Sequence, residues 1–320
     1  MIHTNRIVKT GIKEKSKKVF RKQIGKSIKK HWQLYLILLP PIIYLVIFKY
    51  IPMYGVQIAF RQYNPIDGIM GSTWVGFKQF EAFFKSYQFN RLFFNTLGIS
   101  LYSIIVSFPI PIILALSLNE CRSKFFSKTV QMVTYAPYFI STVILVAILN
   151  QLLSPNGLLN NILIMLNMKT INIMGIPSMF KSVYVWSGIW QATGYSAVIY
   201  LAALSGVNSE LYEAARLDGA STLQKIIYID IPGIMPTAVV LLILSSASIL
   251  NVGYEKIFLM QNPLNMANSD VISTYVYRTG LLSAQYSYSA AVGLFNSVVS
   301  FILLVVVNQI SRKVSENSLW

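Results

Sequence analysis

The sequence predicts an all-α polytopic membrane protein with six transmembrane helices, and three observations carry that prediction. The 320 residues are 54% hydrophobic, with a mean hydropathy of +0.55. Only 12% are charged, against about 25% in soluble domains. The charges are also segregated. Uncharged intervals of 28 residues between Arg91 and Glu120, 40 between Lys128 and Lys169, 28 between Lys181 and Glu210, 24 between Asp230 and Glu255 and 33 between Arg278 and Arg312 break up the chain, and each holds a helix of about 20 residues, enough to cross a bilayer. A sixth runs from about Gln33 to Phe48. A charge at the bilayer centre costs roughly 2.5 to 3.5 kcal/mol, so these intervals place crossings near 33–50, 95–118, 131–153, 183–204, 234–254 and 290–310.

Residues 1–32 precede the first crossing and carry 11 Lys and Arg. Val8, Ile12, Phe20, Ile24 and Ile28 recur at multiples of four, which fits an amphipathic helix on an anionic leaflet as well as an unstructured basic tail. Gly25-Lys26-Ser27 imitates the end of a phosphate-binding loop, but Phe20 stands where its first glycine belongs and no strand precedes it. The 33–50 crossing has no small-residue cleavage site after it and is expected to stay attached. Residues 51–94 bring Trp74, Phe77, Phe80, Phe83, Phe84 and Tyr87 at spacings of three and four, expected as a short helix with rings at headgroup level. Pro109, Pro111 and Pro137 are expected to kink their helices, and Ser154-Pro155-Asn156-Gly157 to end the third crossing. Residues 255–289 are polar, with Tyr275, Tyr277, Tyr286 and Tyr288 available to an external partner.

Basic residues orient the chain. Of 27 Lys and Arg, 18 fall in the N-terminal segment, the second and fourth loops and the C-terminal tail, which puts both termini in the cytoplasm. The same clustering turns a net charge of +16 into membrane topology rather than a nucleic-acid surface. One cysteine, Cys121, and two histidines, His3 and His31, provide neither a metal site nor a His-based catalytic centre, and no catalytic residue is expected.

The loop 205–233 departs from that basic pattern, with Glu210, Glu213, Asp218 and Asp230 against Arg216 and Lys225. Ser209 is expected to cap a first helix with Glu210 in its positive first turn, and Gly219 to stop it in the left-handed region. Ser221-x-x-Gln224 is a capping box opening a second helix that Pro232 is expected to end. Ala214 and Ala215 let another backbone approach, while Glu213 and Asp218 offer anionic contacts. Such a hook suits docking to a protein surface; the alternative is an ordinary loop packed on its own bundle.

Glu213-Ala214-Ala215, three residues, Gly219, nine residues, then Ile229-x-Ile231-Pro232 resembles the E-A-A-x3-G-x9-I-x-L-P signature of the permease subunits of binding-protein-dependent ABC importers, departing only at Ile231. Leu39-Pro40-Pro41, Tyr50-x-Pro52-Met53-x-Gly55 and Gly68-x-x-Gly71-Ser72-x-Trp74-Val75-Gly76-Phe77 are similar to its carbohydrate-uptake branch, especially the permeases for complex oligosaccharides and polysaccharide fragments. The resemblance implies a type I ABC importer permease (MetI-like) fold over 33–320 with a coupling loop at 205–233. It implies a second homologous permease, two cytoplasmic ATPase subunits that hold ATP and Mg, a lipid-anchored extracytoplasmic solute-binding protein, and a bacterial cell membrane. Glu213, Ala214, Ala215, Asp218 and Gly219 become the coupling residues by that correspondence.

A sugar path wants rings to stack on pyranose faces and amides for the hydroxyls. The candidates at membrane depth are Gln191, Tyr195, Asn251, Tyr254 and Asn296, each equally available for hydrogen bonds between helices. A secondary transporter coupled to ions is the alternative function. It needs relay groups inside the spans, for which only Glu255, at the edge of the fifth, is placed.

Overall fold

The computed structural model describes residues 30–247, 249–250 and 252–315; the basic stretch 1–29 and Asn251 lie outside the described residues. The chain divides between Gln57 and Ile58 into two compact units. The first carries α1, Trp32–Leu45, which continues through a π turn, Val46–Tyr50, and the short helix Ile51–Met53. Pro40 and Pro41 sit inside α1, and none of its residues is buried.

The second unit begins with a two-residue antiparallel pairing, β1 (Arg61–Gln62) on β2 (Thr73–Trp74), followed by α2, Lys78–Lys85. The aromatic residues here are not simply interfacial anchors. Phe60 stacks on Trp74 with centroids 5.6 Å apart, and Phe83 is buried with Leu92, Ile272, Tyr275 and Val292 in one of three hydrophobic cores. Tyr87 and Phe77 do remain exposed. Next come α3, Phe89–Ser107, and α4, Pro109–Asn119, which together form one apolar run interrupted at Phe108 by the proline that follows it.

The expected third crossing, 131–153, is divided. Helix α5, Lys124–Tyr135, passes into a 3₁₀ turn at Ala136–Phe139, and α6, Thr142–Leu153, starts afresh where Ser141 Oγ accepts from the Ile144 amide. Pro137 supplies no N–H to an α-ladder, and Ser141 offers a new start. After the turn at 154–157 comes α7, Leu158–Met165. Buried Asn160 closes that turn by donating to the Ser154 and Ile171 carbonyls, 2.8 and 2.9 Å, and accepting from the Ile171 amide, 2.8 Å.

Helix α8, Pro177–Ser205, is 29 residues long and packs against α3, α4 and α5 and the turn 136–139. Its polar groups bond inward: Ser187 and Thr193 hydroxyls donate to the carbonyls four residues back, at 2.5 and 2.7 Å. The loop that follows holds α9, Ser209–Leu217, and α10, Thr222–Lys225.

The helix expected to end at Pro232 does not end there. A π turn, Ile226–Asp230, joins α10 to α11, Ile231–Ala247, so that Thr222–Ser246 is one apolar helix of 25 residues. Widening the ladder just before the proline accommodates a residue that has no amide to donate and a ring that crowds the preceding turn. The fifth crossing is accordingly displaced toward lower numbers. After α11 come α12, Tyr254–Met260, α13, Ile272–Tyr277, and α14, Tyr286–Ser315.

Among the described residues five helices are long and apolar enough to cross a membrane: Trp32–Phe60, Phe89–Asn119, Thr142–Met165, Thr222–Ser246 and Tyr286–Lys313. Among the described residues α8 is the sixth long helix, its apolarity diluted by the serines, Thr193, Gln191 and Lys181. The segment 255–289 is a folded cap rather than an open loop. Fully buried Asp270 receives Arg278 Nη2 at 2.7 Å and Arg91 Nη2 at 3.5 Å, and Tyr275 belongs to the core.

Helix α8 lies close against α5 at Gly194, where an added Cβ meets the Thr134 carbonyl. Gly194→Val is expected to cost about 1–3 kcal/mol by overpacking, read as a lower thermal midpoint of the purified protein. Gly293→Ala, with open space around the added methyl, is expected to leave the midpoint unchanged.

Candidate functional site

The loop between α8 and α11 is built by local chemistry. Asn208, not Ser209, is the cap of α9: its Oδ1 accepts from the Glu210 amide at 3.0 Å. Both residue types cap well, and the chain uses the one that comes first. Gly219 takes φ +72, and the end of α9 closes with the Gly219 amide on the Arg216 carbonyl, 3.2 Å, and the Ala220 amide on the Ala215 carbonyl, 2.8 Å. This pair of bonds is a Schellman motif. The Ser221–Gln224 capping box is present, with Ser221 N donating to Gln224 Oε1 at 2.7 Å.

Ala214, Ala215, Asp218 and Gly219 come together in the lining of a groove of about 420 Å³, with Leu211 and Tyr228. Glu213 is exposed but is not part of that lining. Around the groove Leu217 is 89% exposed and Tyr228 75%. These apolar side chains, which the sequence reading passed over, give the acidic hook a hydrophobic contact surface.

Two long-range contacts tie the hook to the bundle. Tyr212, on α9, donates to Asp230 Oδ1 at 2.5 Å, and Asp230 is fully buried in the π turn. Burial first, and then the hydrogen bond to Asp230 and its charge, hold the Tyr212 phenol up at about 12, so it keeps its proton and acts as a donor. Lys225 Nζ, at the end of α10, meets Glu120 Oε2 beside the end of α4 at 3.0 Å, both largely buried. Beneath them lies a core of Ala115, Leu116, Ala197, Tyr200, Leu204, Ile234 and Ala238, contributed by α4, α8 and α11. The hook and three long helices thus form one packed unit.

The residues proposed for a sugar path are not gathered in one place. Gln191 Nε2 donates to the Ile140 carbonyl at 2.7 Å, stitching α8 to the break before α6. Tyr195 stacks on Tyr138 at 3.9 Å and 6°. Tyr254 lies with Phe258 and Tyr277 at a separate cleft that Tyr286 and Ser289 also line. Asn296, on α14, is buried with no partner for Oδ1 among the described residues. A cavity of about 220 Å³ between α3, α4, α8 and α11, lined in part by Ser107, Gly188, Thr193 and Ser196, contains none of these four.

Residues 107–316 match the family described as "Binding-protein-dependent transport system inner membrane component". The chain is 41% identical to Protein LplB of Bacillus subtilis (strain 168) over 295 residues, 92% of this chain and 93% of that one. It is 40% identical to the polygalacturonan/rhamnogalacturonan transport system permease protein YteP of the same organism over 309 residues, covering 96% and 95%. Among solved structures it is similar to a chain of the bacterial alginate ABC transporter in complex with alginate pentasaccharide-bound periplasmic protein, with a TM-score of 0.84, 41% identity, and coverage of 92% of this chain and 99% of that one. A hooked bundle of long apolar helices and these similarities over nearly its whole length agree: the chain belongs to the family of binding-protein-dependent transport system inner membrane components, the permease subunits of ABC importers.

Proposed function

We propose that this chain forms half of the translocation pathway of an ATP-driven oligosaccharide importer and is coupled to a separate ATPase through α9 and the Gly219 turn. The observation that carries the coupling reading is the attachment of an exposed acidic hook to the long helices by Tyr212–Asp230 and Lys225–Glu120. A hook so attached moves with its bundle. When ATP and Mg draw two ATPase subunits together, a hook seated in each would carry its permease as a rigid body between inward-open and outward-open arrangements. The hook's differential contacts in the two states supply the coupling.

The sugar cargo is supported by the printed cargoes of the relatives, polygalacturonan/rhamnogalacturonan for one and alginate for the solved transporter. In this reading the partners are a second homologous permease, two ATPase subunits and a lipid-anchored solute-binding protein, and the basic loops place the hook and both termini on the cytoplasmic side of a bacterial cell membrane. An ion-coupled mechanism has little to work with: Glu255 is exposed at the start of α12, outside the long helices, and Asp230 is engaged by Tyr212.

In the assembled complex, Gly219→Asp and Glu213→Lys are each expected to lower ATP hydrolysis stimulated by sugar-loaded binding protein at least tenfold while membrane insertion stays normal; normal stimulation in both variants removes the coupling assignment. Tyr212→Phe leaves a buried carboxylate oxygen without its donor, a loss of about 1–3 kcal/mol. It is expected to speed amide hydrogen exchange across 209–225 by about five- to 140-fold, at one factor of ten per 1.4 kcal/mol, and unchanged exchange would show that the hook is held by other contacts.

A further inference from the structure

Among the described residues three charged side chains are buried: Asp230, Asp270 and Lys256. Asp230 has Tyr212 and Asp270 has two arginines. Lys256, only 9% exposed, has no acidic partner among the ion pairs of the described residues. It donates one hydrogen bond, from Nζ to the Tyr184 carbonyl at 2.9 Å, and its ammonium stands 4.8 Å from the centroid of the Tyr184 ring. A carbonyl dipole and a ring face attract a cation, but neither supplies a counter-charge, and a buried ammonium is costly until one arrives.

The position of that ammonium suggests where the counter-charge comes from. Lys256 reaches from the first turn of α12 to Gly188 on α8, where an added Cβ would stand 3.3 Å from Nζ. Gly188 is part of the wall of the interior cavity. Seven residues earlier on α8, and so on the same face, Lys181 places its Nζ 2.9 Å from the position of a Cβ on Gly98 of α3. Seven residues later, Tyr195 stacks on Tyr138. One face of α8 therefore carries, in order, a lysine, a glycine with a second ammonium over it, and an aromatic pair. Rings of this kind stack on pyranose faces. Ammonium groups without an acidic partner among the described residues are suited to carboxylates, whereas neutral hydroxyls would leave their charge uncompensated.

We propose that Lys256, with Lys181 as a second cation on the same face of α8, meets the carboxylate of a uronate residue and makes this permease selective for acidic oligosaccharides. The inference rests on the oligosaccharide-importer reading. Its rival is that Lys256 only anchors α12 to α8 through the Tyr184 carbonyl.

The test is uptake of radiolabelled trigalacturonate, and of the same trisaccharide with its carboxyl groups reduced, into proteoliposomes holding the complete transporter and its binding protein. Lys256→Gln keeps a hydrogen-bond donor for Tyr184 but removes the charge, and Lys256→Arg keeps the charge. We expect Lys256→Gln to lower trigalacturonate uptake at least tenfold and Lys256→Arg to stay within threefold of wild type, each in complexes that copurify intact. Wild-type uptake by Lys256→Gln, or an equal loss in both variants, overturns the proposal in favour of the anchor. Independently of any variant, wild-type uptake of the carboxyl-reduced trisaccharide that equals or exceeds uptake of the acid overturns it and leaves the importer reading standing. A wild-type complex that hydrolyses ATP yet imports neither sugar nor any member of a panel of neutral oligosaccharides overturns the importer reading itself.

Discussion

A carboxylate shut away from water holds to whatever donor the fold brings it, and the working arrangement of this protein depends on one such case. Asp230 lies where the hook becomes a long apolar helix, and its partner, Tyr212, belongs to the hook. Because burial and the neighbouring charge keep the phenol protonated, the bond is a donor-to-carboxylate contact of the stronger kind. If the hook were attached only by its two chain ends, it could swing without moving the bundle. With Tyr212 on Asp230 and Lys225 on Glu120, displacement of α9 is passed to α4 and α11, and through their shared core to α8.

The parts of the fold that could be read from sequence are those that depend on neighbours along the chain. The left-handed stop at Gly219 and the Ser221–Gln224 box follow from the properties of glycine and from two side chains three residues apart. The long charge-free intervals locate helices because the penalty for a charge in hydrocarbon applies residue by residue. Misreadings occurred where two local rules competed. Asn208 and Ser209 are both good caps, and only the path of the chain chooses between them. Pro232 reads as a stop because an α-ladder cannot pass it easily, but a π turn can, and nothing in Ile226–Asp230 announces one.

What was illegible is contact at long range. Tyr212 and Asp230 are 18 residues apart, and Lys225 and Glu120 are 105 apart; no periodicity pairs them. Phe83 fits an interfacial belt by spacing, yet belongs to a core completed by Ile272 and Val292 from far along the chain. The scattering of Gln191, Tyr195, Tyr254 and Asn296 has the same origin. Residue type identifies groups able to bind a sugar, whereas convergence on one cavity is decided by how α8 packs.

The wide turns at Val46–Tyr50 and Ile226–Asp230 each stand just ahead of a proline, Pro52 and Pro232. A π turn winds wider than an α turn and so takes up one extra residue with little change in the faces presented on either side of it. The turn at 226–230 therefore acts as a phase setting between α11 and the hook: it brings Asp230 to Tyr212 while Ile234 and Ala238 keep their places in the core. Sequence drift that deleted a single residue there would close the widened turn and take from Asp230 the place in which it meets Tyr212, leaving the hook held by its chain ends and by Lys225 on Glu120.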